Sequence, residues 1–298
     1  MLSKSSWLHL RIPFSYFLLP VYLFALAVSP NPTTAKVLWT LIIVHIFLYP
    51  ASNGYNSYYD KDEQSIGGLK HPLPVNKGLY YLSLTFDALA ILLGIVFINL
   101  TFGLLLFVYG LASKAYSYPG VRLKKYPIWG WFVAGFFQGL FTLVMCYIGI
   151  NNYGIENVLK PQVLLPGLLS SIMIWANYPM TQIYQHEEDG KRGDHTFSIM
   201  LGIRGTFYFV AAVFGIVSLG FALFFRAFYN DVLAIRFLIA LSPVTFYFVY
   251  WFIKAYNNPK AADYDHTMWL NFISATCLNL FFGYMFLSNS HYLQLLIP

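Results

Sequence analysis

The sequence predicts an all-α fold, a polytopic membrane protein of about nine transmembrane helices around a central cavity. Hydrophobic residues make up 58% of the 298 positions and charged residues only 10%. The mean hydropathy of +0.58 lies outside the range of ordinary soluble domains. Apolar runs close to the ~20 residues that cross a bilayer core recur along the whole chain. No Ser/Gly-rich linker or charged tail divides it, so residues 1–298 read as one domain.

The runs fall at about 12–29, 36–56, 79–98, 101–118, 128–150, 163–184, 206–226, 232–253 and 268–288. The first follows Lys4 and Arg11 and carries Ala25-Leu26-Ala27, an imitation of a signal peptide that is expected to remain as a span. The second holds His45, expected to hydrogen-bond between helices, and ends in an acidic cluster. The third contains Asp87, expensive in a membrane interior and therefore expected to pair, with Lys114 for example, or to orient an acceptor. A very short turn leads to the fourth, which ends at Lys114-Ala115-Tyr116-Ser117-Tyr118-Pro119. The fifth and ninth carry Cys146 and Cys277, which without metal-ligand spacing read as small core residues. The sixth ends in a second acidic cluster, and the eighth at Lys254-Ala255-Tyr256-Asn257-Asn258-Pro259, echoing the fourth. Two four-helix repeats followed by a ninth helix would place these four helix ends on one face.

Basic residues set the orientation. With the N-terminus inside, thirteen Lys and Arg fall in cytoplasmic segments against four on the other side, which puts both acidic clusters in the cytoplasm, with the inner cell membrane as the expected location. The formal charge of +6 is then mostly topology. Nucleic acid is not an expected partner, because no soluble basic domain exists to bind it.

The clusters, Asn53-x-x-Asn56-x-x-x-Asp60-Lys61-Asp62-Glu63 and Gln185-His186-Glu187-Glu188-Asp189, hold six of the twelve carboxylates. Asn53, Asn56 and Asp60 share one helix face, as do Gln185, Glu188 and Asp189. Such crowding of like charge calls for an external cation. Mg²⁺ that brings a substrate's phosphates suits it, because this ion binds through one or two carboxylates plus phosphate oxygens. Asn56, Asp60, Asp62, Gln185, Glu188 and Asp189 are the candidate metal ligands, the carboxamides supplying oxygen without charge. His186 is expected to be a solvated side chain at a helix end.

The paired clusters resemble the two aspartate-rich motifs of the UbiA superfamily of intramembrane prenyltransferases. Asn56-Ser57-Tyr58-Tyr59-Asp60 is similar to the start of the first motif, with Ser57 in place of its usual Asp and Gln64 where its last Asp would fall. In the second, Asp189 matches and Gln185 replaces the first Asp. Lys70-His71-Pro72-Leu73-Pro74, Tyr118-Pro119 with Arg122, Lys124 and Lys125, and Gly193-x-x-Thr196 through Leu201-Gly202 resemble segments that follow in the family.

The resemblance implies a Mg²⁺-dependent enzyme that moves a prenyl chain from a prenyl diphosphate to a lipophilic acceptor, with release of pyrophosphate. A small aromatic, quinone-precursor acceptor is expected, because the chain has no extra domain for a macrocycle or macromolecule. Asp60, Asp189 and Lys70 are then the expected catalytic residues. Asn53, Asn56, Tyr58, Tyr116, Arg122, Lys124 and Lys125 are the expected substrate contacts, basic groups facing the diphosphate and Tyr faces the carbocation. A secondary transporter is the competing class. Against it, eleven of the twelve carboxylates fall in loops or helix ends, leaving only Asp87 well inside a span.

Overall fold

The structure, a computed structural model, describes residues 3–289. Nine helical spans long and apolar enough to cross a membrane are present among the described residues: α1 (Lys4–Ala27), α2 (Thr34–Asp60), α3 (Lys77–Phe97), α4 (Leu100–Ser117), α5 (Pro127–Asn151), α6 (Pro161–Arg192), α7 (Phe197–Phe228), α8 (Asp231–Asn257) and α9 (Tyr264–Asn289). Each packs on its sequence neighbour, and α9 returns to α1 to close a ring. Phe24 of α1 stacks on Phe282 of α9 at 4.4 Å to seal that closure. Outward positions such as Ile216, Phe246 and Leu280 are about two-thirds exposed or more, a surface suited to lipid rather than to water.

Three spans start or end well beyond their apolar runs, among them α7, which already begins at Phe197. α1 begins at Lys4, because Ser5 and Ser6 are held by Pro74 O (2.7 Å) and Asn76 Oδ1 (3.1 Å) and so bury a polar first turn. α6 runs through the acidic cluster to Arg192 after a tight turn at Ile183–Gln185. Glu187, Glu188 and Asp189 lie in the first turn of its last segment, where a helix dipole favours negative charge.

The interior breaks at Arg11 and at Phe137–Phe141 fall beside the cavities. Arg11 adopts φ 48° and divides α1 into an α-helical and a 3₁₀ segment. In α2 a π turn, Ile43–Leu48, precedes Pro50, whose missing N–H and ring prevent a regular turn. The π turn Phe137–Phe141 of α5 crosses α6 closely at Gly139, where a Cβ would meet the backbone of Ser171. Ser171 Oγ meets the loosened backbone, accepting from Leu140 N and donating to Gly135 O.

Asp87 pairs with Lys114 between α3 and α4, one of the two roles expected of it. Cys146 is buried and Cys277 half-buried, both as free thiols. His45 bonds to the backbone of Ser15 on α1, the interhelical contact expected of it, and lies edge-on to the rings of Tyr22 and Tyr49 with Nε2 unpartnered. His186 is not solvated as expected. Its Nε2 meets Ser198 Oγ at 2.7 Å, joining the end of α6 to the start of α7.

Candidate active site

The ends of α2 and α6 and the loops after α4 and α6 converge on one face. Asp60 closes α2, and Lys61 at φ 51° turns the chain away. Pro119 and Gly120 open the α4–α5 loop, whose Tyr118 carbonyl accepts from Val121 and Arg122, so that Arg122 and Lys124 point back beneath α2. α6 ends at Gly193, φ 78°, a left-handed cap that glycine adopts without penalty. Thr196 then caps α7 by accepting from Ile199 N. Between them, His195 N donates to Lys125 O at 3.2 Å, which sets Asp194 against Arg122.

These elements build one charge cluster. Arg122 makes a two-pronged contact with Asp194, both N–O distances 2.7 Å, and reaches Asp60 at 3.2 Å. Lys124 pairs with Asp60 and lies 3.7 Å from Asp194. Arg192 links Asp62 (2.6 Å), Asp189 (2.9 Å) and Asp194 (3.3 Å), and donates to the Asp60 carbonyl at 3.0 Å. Four carboxylates thus face three cations, and the acidic side chains are at most 10% exposed. Arg11 stands in the same wall, its guanidinium donating to the backbone carbonyls of Gly67 and Asn53.

The electrostatics outside the spans follow from this wiring. Burial raises the Asp62 carboxyl above its ordinary value and the adjacent Asp60 charge adds to the rise, with Arg192 opposing both. Burial also acts to raise Asp194, but the hydrogen bond from Arg122 and the charges of Lys124, Arg122 and Arg192 outweigh it and hold that carboxyl low. The Asp194 hydrogen bond in turn raises the Arg122 guanidinium.

Three cavities meet here. The first, about 750 Å³ with an open mouth, is lined by Arg11, Asn56, Asp60, Asp62, Lys124, Gln185, Asp189, Arg192 and Asp194, with Tyr116, Tyr178 and Tyr184 on its inner wall. The second, about 1080 Å³, runs between α1, α6 and α9 and is mostly apolar. The third, about 640 Å³, lies between α2, α4, α5 and α6. Tyr178 lines all three, and its hydroxyl bonds to that of Tyr116.

The cluster therefore brings together Asn56, Asp60, Asp62, Tyr116, Lys124, Gln185 and Asp189, with Arg122 bonded just behind. Asn53 faces the second and third cavities instead. Lys70 is more than half exposed and pairs with Asp265, Lys125 faces outward, and Tyr58 packs on Tyr59 and Tyr80. None of the three lines a cavity among those described. Glu188 accepts from the backbone N–H of Glu63 and Gln64 and so ties the two acidic segments together rather than facing the first cavity. Arg11, Tyr178, Arg192 and Asp194 were not singled out from the sequence. The signal for Asp194 was present, a carboxylate in a four-residue turn between two spans on the acidic face.

Among the described residues no group of three His, Cys, Asp or Glu side chains closes into a metal cage. The donors are hard carboxylate and carboxamide oxygens, each reachable from the first cavity. Such a set suits a cation held by one or two carboxylates and completed by a ligand's oxygens.

The UbiA prenyltransferase family matches residues 17–273. A UbiA homologue from Archaeoglobus fulgidus bound to DMAPP and Mg²⁺ superposes with a TM-score of 0.66 at 15% identity, over 95% of this chain and 99% of that one. The apo structure of a UbiA homologue from Aeropyrum pernix K1 gives 0.70 at 15% identity over 93% and 98%. A digeranylgeranylglyceryl phosphate synthase gives 0.61 at 19% identity over 96% and 98%. No curated protein sequence matches the chain. With nine apolar spans among its described residues and a family match over most of its length, the chain belongs to the UbiA prenyltransferase family and is an integral multi-pass membrane protein.

Proposed function

We propose that this protein transfers a prenyl chain from a prenyl diphosphate, held with Mg²⁺, to a small aromatic acceptor of the quinone-precursor kind. The observation that carries this reading is the cluster of four carboxylates and three cations at the meeting point of two uncharged cavities. A diphosphate needs cations and a divalent ion needs carboxylates. Here each set satisfies the other, and both can change partners when a charged substrate arrives.

Asp60 and Asp189, with Asn56, Asp62 and Gln185 beside them, are the groups that would hold the ion. Bound there, Mg²⁺ supplies charge neutralisation for the leaving diphosphate. Arg122, Lys124 and Arg192 exchange carboxylate for phosphate oxygens and stabilise charge on the leaving oxygen. The C–O bond to the diphosphate breaks and its electron pair departs with the diphosphate. The acceptor supplies the pair for the new bond to carbon and gives up a proton to the released diphosphate or to water. Tyr116 and Tyr178 present their rings at the inner wall, where such faces stabilise a cation by about 0.5–2 kcal/mol each. The uncharged second and third cavities keep water from the cation.

The acidic face is assigned to the cytoplasm of the inner membrane, supported by the bias of thirteen basic residues against four. To test the reaction, membranes containing the protein are incubated with labelled prenyl diphosphate and a panel of quinone-precursor, haem and glycerol-phosphate acceptors. Mg²⁺-dependent pyrophosphate release with an aromatic acceptor is expected. Release with none of the panel would sink the reading.

A further inference from the structure

The second and third cavities are not simply greasy. Asn53 and Gln138 face both, and Asn177 and Asn271 face the second. None of these four carboxamide side chains hydrogen-bonds to another described residue, yet each is only part-exposed. Each is open to its cavity, so a hydrocarbon chain packed against it would strip its water without giving a partner, whereas a polar ligand group would replace that water. The π turn of α5 is what presents Gln138 to both cavities, and widened turns of this kind are frequent at functional sites.

Equally informative is what these walls lack. Among the described residues no Asp, Glu, Lys, Arg or His lines either cavity. Of the cations nearby, Arg122, Lys124 and Arg192 are paired with carboxylates of the first cavity, and Arg11, bonded to two backbone carbonyls, lines the first cavity and neither of these. A carboxylate placed among the amides would therefore be desolvated with no counter-charge in contact with it. A hydroxyl or carbonyl would exchange water for an amide partner that can both donate and accept.

Building on the transfer reaction above, we propose that these amides form the acceptor site, and that they select a neutral acceptor presenting a phenolic or alcoholic hydroxyl or a carbonyl over one bearing a carboxylate. Tyr178 joins the amide-lined walls to the charged cavity, so an acceptor held by Asn53 and Gln138 meets the prenyl carbon as it leaves the diphosphate.

The test uses the full chain in nanodiscs with Mg²⁺ and geranylgeranyl thiodiphosphate, a slowly reacting donor, whose own Kd is measured first. Dissociation constants are then compared for two matched pairs: 1,4-dihydroxynaphthalene with its 2-carboxylate, and 4-methylphenol with 4-hydroxybenzoate. The neutral member of each pair is expected to bind at least about ten-fold more tightly, as sites built on hydrogen bonds discriminate. Gln138→Met and Asn177→Leu, which conserve volume, remove amide partners without adding charge and should weaken binding of the neutral members at least about ten-fold with donor affinity unchanged. Equal or tighter binding of the acids, neutral-member binding that neither variant weakens, or no binding of either member would overturn the inference while leaving donor binding in place. Failure of the donor itself to bind would remove the transfer reaction and this inference with it.

Discussion

Removing Asp194 tests whether the charge cluster is wired as described. Asp194→Ala deletes both contacts to Arg122, each 2.7 Å, and the 3.3 Å contact to Arg192. Its side chain is 1% exposed and that of Arg122 13%, so the loss resembles breaking a buried pair, which costs ~3–5 kcal/mol when nothing else compensates. Arg122 still has Asp60 at 3.2 Å and some solvent, which lowers the expected loss to about 2–3 kcal/mol. At about 2–4 °C per kcal/mol for a chain of this size, thermal unfolding in detergent should shift down by about 4–12 °C. Arg122, no longer held in place, should also bind the donor poorly, so KM for prenyl diphosphate rises about ten-fold, equivalent to 1.4 kcal/mol. Asp194→Asn, which keeps one acceptor oxygen, should fall between. Wild-type melting together with a wild-type KM in Asp194→Ala would refute the wiring.

Asp60→Ala and Asp189→Ala are each expected to abolish turnover at normal expression, because each removes a negative oxygen donor from the first cavity; wild-type rates in either variant would remove that residue from the site. Lys70→Ala should change turnover less than about two-fold, since the side chain is exposed and paired with Asp265 at the surface, and a large loss in steady-state assays would return Lys70 to the chemistry. The pH dependence of stability has a defined sign. Asp194 titrates below its ordinary 3.8 in the folded protein, so its charged form stabilises the fold above that value and the benefit disappears as pH falls through and below it. The difference in melting temperature between wild type and Asp194→Asn should therefore be flat from about pH 5 to 8 and shrink below about pH 4. Asp62, shifted upward, acts in the opposite sense and is common to both proteins.

The membrane fold was readable because bilayer thickness fixes span length and composition, and nine runs gave nine spans among the described residues. Hydropathy stopped short at Lys4–Leu10 and at Gln185–Arg192, where buried serines and a charged helix end extend the helices through hydrogen bonds that no window average registers. The acidic half of the cluster, Asp194 apart, was legible from the two acidic stretches. Arg192 and Asp194 were not, because they reach the site through the left-handed cap at Gly193 and the hydrogen bond from His195 to Lys125. Glu188 shared a face with Asp189 by spacing alone, yet the 3₁₀ turn at Ile183–Gln185 re-aims that segment, and Glu188 is spent on the backbone of Glu63 and Gln64. Asn177 and Asn271 drew no notice as isolated amides in apolar runs. Only the packing of α6 against α1 and the return of α9 put them around one cavity.

The central claim is an exchange of partners, carboxylates to Mg²⁺ and cations to diphosphate, and the most direct measurement is the thermodynamic coupling between the two ligands. Binding of geranylgeranyl thiodiphosphate to the full chain in nanodiscs is titrated at increasing Mg²⁺ and with EDTA, for wild type and for Asp60→Asn. The expected result is a donor affinity that strengthens at least about ten-fold with Mg²⁺ and, by linkage, an equal strengthening of Mg²⁺ binding by the donor, both largely lost in Asp60→Asn. A donor that binds wild type equally tightly in EDTA, or a coupling untouched in Asp60→Asn, would contradict it.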